Sequence, residues 1–144
     1  MKRWPFEKLV VLGLIFGFAT LMADLRYDHN HVMRKHAAAL IPIYYSGGMA
    51  LLGVICLTAW DSWGRRALIA FFAAGIVVGL LGYWFHNSGH LVSGLRLLFS
   101  VWTGKSPDPV AKPPVLAPLA FAGMGALGIL ACTTRCNSPR AAAP

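Results

Sequence analysis

The chain has 144 residues, of which 57% are apolar and only 12% charged, with a mean hydropathy of +0.60. Soluble domains carry about a quarter charged residues, so this composition argues against a soluble fold and for a membrane one. The net charge of +8 comes from thirteen Lys and Arg against five Asp and Glu. The cations are spread thinly over every loop and tail, with no basic helix or aromatic-interleaved patch, which excludes a nucleic-acid partner. Their expected partner is the anionic headgroup layer of a bilayer.

Uncharged runs cover residues 9–23, 36–60, 67–95 and 113–134, and a membrane-crossing helix needs about 20 mostly apolar residues. The first run is short. Trp4, Phe6 and Leu25 extend it to a span at about 6–25 if Glu7 and Lys8 stay near the headgroups. Met1-Lys2-Arg3 before an apolar stretch also fits a secretory signal peptide. Leu21, however, stands where a cleavage site prefers a small residue, so an uncleaved anchor is expected.

A short polar loop, Asp24 to Lys35, leads into a second span at about 37–59, with Pro42 near its start and Gly47-Gly48 open to a neighbour. The turn Trp60-Asp61-Ser62-Trp63-Gly64-Arg65-Arg66 allows only an antiparallel hairpin with a third span at about 67–85. From His90 to Trp102, apolar residues alternate at helical spacing with Ser93, Arg96 and Ser100, the pattern of an amphipathic helix lying in the interface. A proline-stiffened linker, 106–114, precedes a fourth span at about 115–133, and a tail follows over 134–144.

The reading is therefore an all-α integral membrane protein, a single domain built as a four-helix transmembrane bundle with one interfacial helix between spans three and four. Trp4, Trp60, Trp63, Trp84 and Trp102 all fall at span ends or in the interfacial segment, where amphipathic rings concentrate. With both termini inside, Lys and Arg number seven within (2, 3, 8, 65, 66, 135, 140) and six outside (26, 34, 35, 96, 105, 112). Lys2, Arg3 and the Arg65-Arg66 pair lie close to span ends, where the charge bias counts most. This orients the chain N-in and C-in in a bacterial inner membrane. It also puts Cys56, Cys132 and Cys136 at or near the reducing side, where no disulfide is expected.

All five histidines, His29, His31, His36, His86 and His90, then share the outer side. Neutral imidazole suits copper, zinc and iron, and His86 and His90 lie on one face if the third helix continues past Phe85, although Gly89 weakens it there. The hairpin sets His36 and His86 at one depth, as a candidate pair of axial haem ligands or as part of a metal site with the other three. Met33 would favour copper(I), and Asp24 and Asp28 could ligate or orient imidazoles. The competing reading is five interfacial histidines bonded to headgroups, water and loop carbonyls.

Gly123-Met-Gly-Ala-Leu-Gly128 matches a dinucleotide fingerprint only in its letters. It lies in an apolar span with no strand before it, and reads as helix packing. The Gly13-xxx-Gly17 and Gly75-xxx-Gly79 faces are expected to serve contacts among these helices rather than dimerisation. No nucleophile has a base beside it, and no Asp, Glu, Lys or Arg lies within the uncharged interior of a span, so neither hydrolase chemistry nor a charge-lined ion path is indicated. Two roles remain. One is a non-enzymatic accessory or assembly subunit, with partner membrane subunits or further copies of itself. The other is a protein that binds Cu, Zn, Fe or haem through its outer histidines.

Overall fold

The computed structural model describes residues 4–28, 33, 36–87, 89–90, 92, 96, 99 and 117–134. Within them all regular secondary structure is helical, with α1 at Phe6–Asp28, α2 at Ile41–Thr58, α3 at Arg65–His86 and α4 at Leu119–Thr133. A 3-10 turn, Ala37–Leu40, leads into α2, and Pro42 stands in its first turn, where a missing N–H costs nothing. A π-turn, Trp60–Gly64, joins α2 to α3.

Three stretches, Phe6–Tyr27, Ala37–Thr58 and Arg65–His86, are long and apolar enough to cross a membrane. Each has 22 residues, or about 33 Å of helix against a hydrocarbon core of about 30 Å. The fourth departs from expectation. Where the sequence suggested a span at 115–133, α4 starts only at Leu119, after a turn at Ala117-Pro118. Pro118 stands at the N-cap with helical dihedrals (φ −62°, ψ −27°), and its missing N–H is tolerated at a helix start. The 15 residues of α4 reach about 22 Å, short of a full crossing. The expected interfacial helix lies mostly outside the described residues; Val92, Arg96 and Phe99 within it are helical and exposed.

The helices run antiparallel in sequence order and pack in a ring. The α1–α2 and α3–α4 pairs are the broad interfaces, and α2–α3 and α1–α4 close it. Glycines set how closely the pairs approach. A Cβ at Gly53 would meet the Ile15 side chain at 2.9 Å, and one at Gly79 would meet the Ala122 nitrogen at 2.6 Å and the Pro118 oxygen at 2.9 Å. Gly125 and Gly128 fit against Phe72 and Ile76, so two glycines of the apparent fingerprint pack helices together, as expected. Gly75 lies beneath the Tyr45 ring and Gly17 beneath Met124, whereas Gly13 and Gly123 face open space.

The centre of the core is aromatic, and each helix supplies one ring. Phe18 of α1 meets Tyr45 of α2 edge-on at 5.5 Å, Phe121 of α4 at 5.7 Å and Phe72 of α3 at 6.4 Å. The Tyr45 hydroxyl donates to the Phe71 carbonyl at 2.8 Å, which satisfies its polar end inside the core. Val11, Met49, Leu68, Cys56 and Cys132 extend this core along the axis. Outside it, large apolar side chains remain uncovered at mid-helix, among them Phe16 (69% exposed), Leu51 (68%), Leu80 and Leu127.

Candidate functional site at the histidine end

Antiparallel packing brings the start of α2, the end of α3 and the start of α4 to one end of the bundle. His36 precedes the 3-10 turn in extended backbone (φ −135°, ψ 109°); its carbonyl accepts the Ala39 N–H at 3.1 Å, and its side chain is exposed. His86 is the last residue of α3 and half-buried, with Nδ1 shielded from solvent.

The chain then turns sharply. The Asn87 side chain and backbone N–H both donate to the Tyr83 carbonyl, at 2.8 and 3.1 Å. Gly89 takes a left-handed φ of +80° while its N–H donates to the Trp84 carbonyl at 3.0 Å. Only glycine adopts that conformation without a steric cost. The shared helical face expected for His86 and His90 therefore does not form, because α3 ends between them. His90 lies beyond the turn, exposed, its N–H donating to the Asn87 carbonyl at 2.9 Å.

Of the five candidate ligands, His36, His86 and His90 thus share an end of the fold, and His29 and His31 lie outside the described residues. Among the described residues, no three His, Cys, Asp or Glu side chains gather to hold a metal ion. Cys56 and Cys132 are free, buried thiols in the core, and Cys136 lies outside the described residues.

The opposite end holds groups whose roles the sequence did not disclose. Glu7 is buried within the fold. It starts the inward stripe continued by Val11, Ile15 and Phe18, so helical periodicity turns it in. Trp60 is buried too, at 8% exposure, while Trp4 and Trp63 are half-exposed. The Lys8 ammonium lies 5.3 Å from the Trp4 ring and 5.9 Å from the Trp60 ring, and the Arg65 guanidinium lies 5.8 Å from Trp60. Arg65 also donates to the carbonyls of Cys132 and, at 3.3 Å, of Thr134. A cation there satisfies orphan carbonyls and opposes the negative end of the α4 dipole. No local signal marks this contact, since the partners lie 67 and 69 residues apart. In the core, Ser46 Oγ is buried with no hydrogen-bond partner among the described residues.

The fold and its surface define the class, an all-helical protein whose long apolar helices are compatible with embedding in a membrane. No known protein family, curated protein or solved structure matches the chain with significance.

Proposed function

We propose that the chain is a small, non-enzymatic multi-pass protein of a bacterial inner membrane, an accessory or assembly subunit of a larger membrane complex. The observation that carries this reading is the apolar exterior. Helices with uncovered Phe16, Leu51, Leu80 and Leu127 at mid-length suit lipid or neighbouring subunits rather than water. The chain lies with both termini inside and its histidine end toward the periplasm. It acts through its surfaces, on partner membrane subunits or further copies of itself. The test is capture of the tagged full chain from membranes in several mild detergents. Membrane subunits at a fixed stoichiometry, or a defined homo-oligomer, are expected; a monodisperse monomer in every detergent would overturn the reading.

A second reading is favoured by the α2–α3 hairpin, which sets His36 and His86 at the same end. In it the histidine end binds copper, zinc, iron or a haem, with His36 and His86 as the central ligands and His29, His31 and His90 as further ones. Elemental analysis and a visible spectrum of the purified protein test it. A near-stoichiometric metal or a Soret band, lost in His36→Ala or His86→Ala, is the expected result. A colourless, metal-free protein indifferent to both changes would remove this reading and leave the first.

A further inference from the structure

We infer that the end of the bundle opposite His36, His86 and His90 is a headgroup site for an anionic phospholipid, with Lys8 as its principal cationic contact, Arg66 as a second, and the indoles of Trp4 and Trp60 as its walls. This rests on the membrane reading above.

Lys8 and Arg65 share the Trp60 ring at this end, and Arg66, Glu7 and Asp61 belong to the same helix ends. Their situations differ. Arg65 is engaged with the carbonyls that end α4, and Glu7 is buried. The Lys8 ammonium lies over two π-faces, at 5.3 and 5.9 Å, and makes no ion pair among the described residues; nor does the exposed Arg66. Two indoles hold the Lys8 ammonium in a fixed position and leave its N–H donors for an anion, since a ring face neutralises only part of a cation's charge.

The surface beside Lys8 selects an amphipathic anion. Phe6 is 69% exposed and Leu9 50%, and Leu9, Leu12 and Phe16 continue an uncovered apolar stripe along α1. A phosphate at Lys8 therefore has acyl chains running down that stripe. Trp4 and Trp63, half-exposed at the same end, stand where amphipathic rings meet the headgroup layer. Placing these cations against a leaflet rich in anionic lipid is also the arrangement the charge bias favours.

The test uses the full chain, reconstituted in bilayers of equal parts phosphatidylcholine and phosphatidylglycerol, with retained lipid counted by native mass spectrometry. The wild type is expected to retain phosphatidylglycerol preferentially. Lys8→Gln and Arg66→Gln are each expected to lower that preference, by up to about fivefold, while Lys8→Arg keeps it. Equal retention of both lipids, or a preference unchanged in both Gln variants, overturns the site. Displacement of the bound lipid by free inorganic phosphate would show a site for small anions and overturns the lipid assignment. Because Arg66 is exposed, its variant decides the matter even if Lys8→Gln fails to fold. Extraction of membranes with alkaline carbonate separates the two ideas: a protein that stays in the bilayer without lipid preference fails the headgroup site alone, and one that is released fails the membrane reading as well.

Discussion

Phe18 touches the rings of Tyr45, Phe72 and Phe121, so one side chain ties α1 to the other three helices. Phe18→Ala should therefore lower stability by about 3–5 kcal/mol, the usual cost of deleting a fully buried aromatic ring, as a lower midpoint of thermal unfolding in detergent. Ser46 gives the opposite expectation. Its hydroxyl is buried and has no hydrogen-bond partner among the described residues, so Ser46→Ala removes a desolvated polar atom and should leave stability unchanged or raise it by up to about 1 kcal/mol. Neither residue stands out in the sequence. Where a helix is apolar all round, inward and outward residues look alike, and Phe16 and Phe18 differ only in what surrounds them.

At the scale of helices, α3 and α4 approach through Gly79, Gly125 and Gly128. A methyl at Gly79 would press on backbone atoms of α4 that cannot rotate away, so Gly79→Ala should cost about 1–3 kcal/mol as an overpacking strain. Gly123 lies on the same helix face as none of these contacts and looks onto open space. Gly123→Ala should be neutral or stabilising by up to about 1 kcal/mol through helix propensity. Chemical unfolding of the pair, followed by circular dichroism, separates a packing glycine from an incidental one. Length and polarity made the three long helices legible in the sequence to within a few residues. The start of α4 was less so, because an apolar run does not show where a proline turn will interrupt it.

For the molecule as a whole, antiparallel packing puts His36, His86 and His90 at one end and Lys8, Trp60 and Arg65 at the other. The proposed N-in orientation then makes a sharp prediction for labelling in intact cells. In a variant lacking native cysteines, Tyr27→Cys should react with a membrane-impermeant maleimide from outside. Asp61→Cys should react only after the membrane is permeabilised; the reverse pattern would invert the topology.

Composition and the spacing of charges determined the helical class, the three long apolar helices and the antiparallel α2–α3 hairpin, because solvation of side chains acts locally and leaves its mark in order along the chain. Only the tertiary structure decided which faces turn inward, that Arg65 closes the end of α4, and that Gly89 separates His90 from the helix carrying His86. Those outcomes depend on atoms brought together from distant segments or on one residue's backbone conformation, and hydropathy carries no record of either.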